Sequence, residues 1–406
     1  MVFVLAWKKI LNMLNDLRTH LAPYALRKPV SHLVRPLLKR PTVRHAGRMA
    51  HVYYEPNRIS FSQIYPLFFH AAAIHERHDV ALRAFPVSEA LAGHSHGGAD
   101  IIIFQPWFTT DPDRLKATLA RLRQQNPEAT IAFFDSFAHN DLRLGRHVDP
   151  FIDLYVKKSL FRDRSLYQVP RRGDTNLTEY YGDLYGIDQP LVDWETPEAI
   201  LPKLRTGANF LTAPQFASPL VKTPRLEHTP KIHDIHARMA TKGSPWYQAM
   251  REAALSAVKS SGAGRILTEG SVPWAEYMRE MRAARLCFSP FGYGEICWRD
   301  IEAFMTGSVL LKPDMSHLET RPDLYVAGET YLPVKWDFSD LGDVARKALA
   351  DSERCVAIAE TAYERMHIYI AKAGFADDMH YLFTAKQMPQ AGNCRDGKAY
   401  AKDAPK

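Results

Sequence analysis

The sequence predicts an α/β protein built from two doubly wound halves. Three observations predict it. Apolar segments of strand length alternate with amphipathic helical segments, and the alternation occurs twice along the chain. One segment, "ADIIIFQPWF" (Ala99–Phe108), is continuously apolar, as a strand buried on both faces must be. Between the two alternating sets lies "ASPLVKTPRLEHTPK" (Ala217–Lys231), whose prolines and polar residues read as a linker. A chain of 406 residues is long enough for two such cores.

In the first half "MAHVYY" reads as a strand, "SFSQIYPLFFHAAAIHERH" as a helix and "DVALRAFP" as a strand. "DPDRLKATLARLRQQNP" reads as a helix, with Asp111 at the N-cap and Pro112 at the first helical position. "ATIAFFD" and "FIDLYVKKSL" read as further strands, and "RRGDTNLTEYYGDLYG" as a loop with a short helix. The second half opens on the strand-like "KIHDIHARM". The helix "SPWYQAMREAALSAVKSS", the strand "GRILTEG" and a helix in "SVPWAEYMREMRAAR" capped by Ser271 follow. "LCFSP", "VLL" and "TYLPVKWD" are its later strands, and two or three helices close it. The expected boundaries are an arm at 1–48, a first half at 49–215, a linker at 216–230, a second half at 231–386 and a disordered polar tail at 387–406.

The net charge of +7 is concentrated at the start: residues 1–50 carry ten Lys/Arg and one acid, Asp16. The rest of the chain is near neutral, which argues against nucleic acid as a partner, because phosphate binding needs cations spread over a folded face. In the first residues Phe3, Trp7, Ile10, Leu14, Leu17 and Leu21 recur at helical spacing, and a basic run from Arg27 to Arg44 follows. An amphipathic helix followed by cations can lie on an anionic membrane surface; it can also pack on the protein's own body. Lys8 and Lys9 break the apolar run, so it does not read as a signal peptide, and no run reaches the ~20 apolar residues of a membrane span. The four cysteines form no CxxC pair and no metal spacing, which points to a reducing, cytoplasmic setting.

The most informative stretch is "FSPFGYGEICWRDIEAFMTGSVLLKPDM", Phe288–Met315. A strand end opens into Gly292 and Gly294, a helix is expected to start near Glu295, and a second strand follows at Val309. Glycines let backbone approach a ligand, and a helix start offers N–H groups and a dipole to phosphate. Arg299 and Glu302 would share one helix face; a guanidinium suits a diphosphate, and a carboxylate suits a pair of ribose hydroxyls. The same residues read equally as a turn followed by a solvated charge ladder.

"GYGEICWRDIEAFMTGSVLL" resembles the donor-site segment of glycosyltransferases of the GT-B fold, closest to exostosin-like members. The likeness rests on Gly292, Tyr293, Gly294, Arg299, Glu302, Ala303 and Gly307. It implies two Rossmann-like domains facing a cleft, a nucleotide-diphosphate sugar as donor, and a glycan or lipid-linked acceptor in cell-surface polysaccharide synthesis. It implies that Glu302 binds the ribose and that Arg299 and the Gly292–Gly294 turn bind the diphosphate. The family's retaining members separate two glutamates by seven residues; here Glu295 and Glu302 have six between them, which leaves the role of Glu295 and the stereochemical outcome open. Arg238, after the first strand of the second half, is a further donor contact on the same resemblance.

Other clusters complete the reading. Asp135, at the end of "ATIAFFD", faces the expected crevice and is the first choice for a base that deprotonates the acceptor; His139 is the second. Tyr53, Glu55 and Arg58 are weaker acceptor contacts, and Lys312, Asp314 and His317 are expected at the border of the nucleotide or sugar. His233 and His236 have metal-like spacing but point to opposite faces of a strand, and the "DPD" at Asp111–Asp113 sits at a helix cap, so no metal and no cofactor is expected. The absence of GxGxxG after either first strand argues against a dehydrogenase. A sugar-nucleotide epimerase and a non-catalytic nucleotide-sugar binding module are the alternatives to a transferase.

Overall fold

The two alternating sets become two separate parallel sheets in the computed structural model, which describes residues 39–384 except Ser95, Glu269 and the side chain of Arg58. Most of the basic arm, and the expected tail at 387–406, lie outside the described residues. The first sheet contains β1 (Arg48–Tyr54), β2 (Val80–Pro86), β3 (Ile101–Phe104), β4 (Thr130–Phe134) and β5 (Leu154–Lys157). A short β6 (Ser159–Phe161) and a small hairpin of β7 (Arg171–Arg172) and β8 (Leu191–Val192) come next, and β9 (Leu204–Thr206) returns to the sheet edge. The order is β2-β1-β3-β4-β5-β9, parallel throughout. All four residues of β3 are buried, as its unbroken apolar run requires.

The second sheet is built from β10 (His233–His236), β11 (Ile266–Leu267), β12 (Ala284–Phe288), β13 (Val309–Pro313) and, after the short β14 (Leu318–Thr320), β15 (Tyr331–Val334). Its order, β11-β10-β12-β13-β15, repeats the pattern of the first and is also parallel. In both sheets the strand order reverses beside the first strand, and ligands bind at the carboxyl ends of the strands flanking such a reversal.

The helices are α1 (Arg58–Phe69), α2 (Ala71–His78), α3 (Pro112–Gln125), α4 (Asn176–Leu184), α5 (Pro214–Lys222), α6 (Pro245–Lys259), α7 (Trp274–Arg282), α8 (Trp298–Thr306), α9 (Leu341–Ala350), α10 (Ser352–Ala371), α11 (Gly374–Asp378) and α12 (His380–Thr384), besides short helical turns. Asp111 caps α3 through the Arg114 amide at 2.9 Å, with Pro112 at the first position, as expected. The expected helix over 60–78 is divided into α1 and α2 and the expected strand over 151–160 into β5 and β6, and three further boundaries differ from the sequence reading. Helix α7 starts at Trp274 behind Pro273, not at a Ser271 cap, because the proline sets the last extended residue. Helix α8 starts at Trp298, three residues after Glu295. And α5 occupies the first part of the expected linker, since Phe216, Ala217 and Leu220 bury one face; the connection proper is 223–232.

The chain crosses back at its end. Arg77 on α2 donates to the carbonyls of Ala373 and Lys372 at 3.0 and 2.9 Å, and His70 stacks on Phe375. The last helices of the second half therefore pack on the first. Further ties join the halves: β14 pairs with β6, Trp298 stacks on Phe210 at 4.1 Å, and Thr206 donates to Glu319 at 2.8 Å. Among the described residues, no helix is long and apolar enough to cross a membrane.

Candidate active site

The loops after β10 and β12 flank the strand reversal of the second sheet, and both hold residues singled out in the sequence. After β12, Gly292 donates to the carbonyl of Gly294 at 3.0 Å, closing a tight turn. Neither glycine adopts positive φ, so a left-handed conformation is not why they are here. Gly294 is required by proximity: a Cβ on it would sit 2.0 Å from the carbonyl oxygen of Ala138 in the first half. The turn is thus pressed against the loop that follows β4, and the carboxyl ends of the two sheets meet.

The start of α8 is not an open anion site. The Cys297 amide donates to Asp300 at 2.9 Å in a capping box, so the helix is closed by its own side chain. Asp300 is fully buried and also accepts from Ser289, Tyr325 and Lys312. Lys312, expected near the ligand, is instead the buried partner of Asp300 at 3.0 Å. Glu295, expected in the first turn, lies before the helix; its buried carboxylate accepts from the Asn176 amide at 3.0 Å and lies 3.6 Å from His317. Burial opposes its ionisation, but His317 and Asn176 outweigh burial and lower its pKa.

Arg299, Glu302 and Arg238 do come together. Arg299 donates to the carbonyl of Arg238 at 2.6 Å, and its Nε is buried without a partner. Glu302 accepts from the Tyr277 hydroxyl at 3.0 Å. Arg238 holds Glu280 in a bidentate pair at 2.7 and 2.9 Å. His236 is buried beside them with neither ring nitrogen hydrogen-bonded; burial and the Arg299 charge lower its pKa to about 4. Arg251 on α6 is also buried, with no carboxylate partner among the described residues, and burial, reinforced by the Arg299 charge, lowers its pKa. The cluster therefore carries more guanidinium than carboxylate.

Two residues that the sequence reading passed over extend it. Lys242 is exposed and makes no hydrogen bond or ion pair among the described residues. Ser244, at the N-cap of the fifteen-residue α6, makes no side-chain bond to the first turn, and its Oγ is buried and unpartnered. Its amide donates to the Tyr293 hydroxyl at 3.1 Å, which ties this helix start to the glycine turn. Gly243 allows the approach, since a Cβ there would meet Tyr247 at 2.5 Å. The signal was present as Lys-Gly-Ser-Pro before an apolar helical period, a helix start with a cation in front of it.

Across the gap, the loop after β4 presents the first half. Asp135 is buried, and its Oδ2 accepts from Lys157 at 2.6 Å and from Tyr155 at 2.8 Å, while Oδ1 accepts from the Phe137 amide at 2.9 Å. Both oxygens are committed, one to an ammonium. His139 differs. Its Nδ1 lies 3.4 Å from Asp174 and 3.0 Å from the Arg143 guanidinium, and its ring faces Tyr293 at 5.9 Å. The two hydrogens of that guanidinium nitrogen are taken by Asp141 at 2.6 Å and Asp174 at 3.0 Å. In the tautomer that places the ring proton on Nδ1, toward Asp174, Nε2 keeps a lone pair. Burial opposes ionisation of Asp174, but His139, Thr178 and Arg143 overcome it and lower its pKa below the usual carboxylate range. Asp174 was not singled out in the sequence, because nothing local joins it to a histidine 35 residues earlier.

Among the described residues, no three His, Cys, Asp or Glu side chains cluster as metal ligands. No family model matches the chain, and no curated protein matches it. Several solved structures resemble it in outline. An alpha-glucosyltransferase in complex with UDP-glucose and abasic-site DNA gives a TM-score of 0.46 at 12% identity, covering 83% of this chain and 99% of that one. A glycosyltransferase from Rickettsia africae gives 0.42 at 8% identity over 84% and 99%. A putative UDP-N-acetylglucosamine 2-epimerase from Listeria monocytogenes gives 0.39 at 12% identity over 80% and 94%. At TM-scores below 0.5 these likenesses add nothing to what the topology itself shows.

Proposed function

We propose that the chain is a glycosyltransferase that moves a sugar from a nucleotide-diphosphate donor to a glycan or lipid-linked acceptor. The observation that carries this reading is the meeting of the Tyr293–Gly294 turn with the His139–Asp174 pair across the two sheet ends. In this reading Glu302 accepts the ribose hydroxyls and Arg299 and Arg238 flank the nucleotide. The diphosphate lies between the glycine turn and the start of α6, where Lys242, the Ser244 hydroxyl and the helix dipole face it. Negative charge grows on the diphosphate as it leaves, and these fixed groups would lower the barrier by meeting it. His139 takes the proton of the attacking hydroxyl, held in register by Asp174, while Asp135 shapes the loop through Lys157 and Tyr155. Contact between the halves keeps water from the donor. Glu295, anchored by Asn176, positions the turn.

The finer reading, an exostosin-like, metal-independent hexosyltransferase of polysaccharide synthesis, rests on the GYG-to-EA pattern alone. A cytoplasmic enzyme whose basic segment at 1–48 meets an anionic membrane surface fits the charge distribution. Vesicle binding that survives deletion of 1–48 would remove that part. A sugar-nucleotide epimerase is the second reading; the same nucleotide groups serve it, but it needs no acceptor.

The test is a thermal-shift screen against nucleoside diphosphates and sugar nucleotides. Binding to the folded state raises the melting temperature by mass action. Glu302→Ala is expected to abolish the shift and leave the unliganded melting temperature within a few degrees, and undiminished donor binding by that variant would overturn the assignment.

A further inference from the structure

A pocket of about 540 Å³ opens between the halves, lined in part by Asn176 and His317, the two residues that hold Glu295. The first half lends it Asn176, Glu179 and Tyr180, and the second lends it Asp314, His317 and Trp336. Its wall is aromatic. Tyr180, 37% exposed, meets the Trp336 indole edge to face at 5.1 Å, and His317 lies 5.0 Å from the same indole. Two buried polar atoms on its lining make no hydrogen bond: Asn176 Oδ1, and His317 Nε2, which stands 3.6 Å from Glu295. Asn176 donates one amide N–H to Glu295, and its Oδ1 acceptor is left unpaired. The unmet Asn176 acceptor beside an aromatic wall describes a site that gains from a ligand carrying both hydroxyls and an apolar face.

The charges narrow the ligand. Glu179, Asp183 and Asp314 border the pocket, and the one arginine on its lining, Arg171, is already paired with Glu179 at 2.8 Å. Asp183 faces only Arg172 at 3.5 Å, at the exposed rim. A phosphate or a nucleotide would meet an excess of carboxylate over guanidinium on this lining. A neutral pyranose meets acceptors for its hydroxyls and ring faces for its C–H groups.

The geometry points to this pocket as the subsite for an uncharged glycosyl unit of the acceptor. The inference rests on the transferase reading, and deepens it by assigning the acceptor's chemical class. Continuity supports the placement. Asn176 follows Asp174, the partner of His139, by two residues, and its amide holds Glu295, the residue after Gly294. Asn176 on the pocket's lining therefore connects it to the residues that join the glycine turn to the histidine.

The test is saturation-transfer NMR on the full chain with methyl α- and β-glucoside, methyl α- and β-galactoside and methyl β-N-acetylglucosaminide, with glucose 6-phosphate as the anionic control. Uridine and guanosine diphosphate titrations run in parallel. Tyr180→Ala and Asp183→Asn alter exposed side chains, and their melting temperatures report that the fold is kept. At least one glycoside is expected to bind, to weaken about ten-fold or more in both variants, and to exceed glucose 6-phosphate, while nucleotide binding stays unchanged. Nucleotide binding without any glycoside signal, glycoside binding indifferent to both variants, or preferred binding of the phosphate would overturn the subsite and leave the transferase reading standing. Loss of nucleotide binding in the parent would overturn the transferase reading itself.

Discussion

The Nδ1 atom of His139 lies 3.4 Å from a carboxylate oxygen of Asp174, and the two residues come from different loops of the first half. Asp174 is itself fixed by Arg143 and by the Thr178 hydroxyl at 2.8 Å, so the imidazole has a defined orientation. In the proposed reading His139 takes the acceptor's proton, and a base positioned this way contributes on the order of 10²–10⁴ in rate. His139→Ala is expected to lower kcat by about that factor while nucleotide affinity stays within about two-fold. Asp174→Asn is expected to lose less, because the imidazole remains but its orientation does not. Steady-state kinetics beside calorimetric nucleotide titration separates the two effects.

Gly292 and Gly294 predict opposite outcomes for one substitution. In Gly294→Ala the new methyl collides with the Ala138 carbonyl, a backbone atom that cannot swing aside. The turn must retreat from His139, at a cost of about 1–3 kcal/mol in stability and on the order of 10²-fold in kcat. In Gly292→Ala the nearest atom lies at 3.5 Å, an ordinary contact, and φ is not positive. That variant is expected to keep near-parental kcat and melting temperature. Equal effects from both would show that close approach is not what Gly294 provides.

The fully buried pair Asp300–Lys312 tests what holds the start of α8 in place. Asp300→Ala strands the Lys312 ammonium and removes the N-cap bond of α8. The expected loss is roughly 3–5 kcal/mol in urea unfolding. Adding Lys312→Met should return part of it, since the second change removes the stranded charge. No recovery in the double variant would place the cost in Ser289 and Tyr325 instead.

Acid sensitivity is expected from buried neutral histidines. His51 is fully buried, neither nitrogen has a hydrogen-bond partner, and burial, followed by the Arg83 charge, lowers its pKa from 6.5 to about 4. His236 is lowered to the same value. A group whose folded pKa is depressed binds protons more readily when unfolded. Its contribution is full above 6.5 and falls away as pH drops toward 4. Unfolding free energy should therefore fall between pH 6.5 and 4, by a few kcal/mol for each such histidine. His51→Leu should flatten that slope; an unchanged slope would show that His51 does not titrate there.

The sheets were legible from central strands such as β3 and β4, apolar runs whose burial on both faces leaves few alternatives. Loops resisted for physical reasons. The start of α8 moved from Glu295 to Trp298 because Asp300, three residues after Cys297, supplies a capping box that a reader looking for Ser or Thr passes over. Lys312 looked like a ligand contact because a lysine at a strand end is usually solvated; here it neutralises a buried carboxylate of the preceding helix. Arg299 and Glu302 were expected on one face because a strand–turn–helix corner fixes their directions, and the structure sets the Arg238 carbonyl against Arg299. Asp174 was missed because its partner is set by tertiary contact and not by spacing. The basic arm remains a reading of the sequence, since residues 1–38 lie outside the described chain.

The central claim is that an activated sugar binds between the glycine turn, the start of α6 and the loop after β4. Hydrogen exchange followed by mass spectrometry, with and without a saturating sugar nucleotide, tests it most directly. The account predicts slowed exchange in three peptides together: residues 236–247, 290–299 and 135–143. Slowed exchange confined to one half, or located on the opposite edge of either sheet, would contradict it.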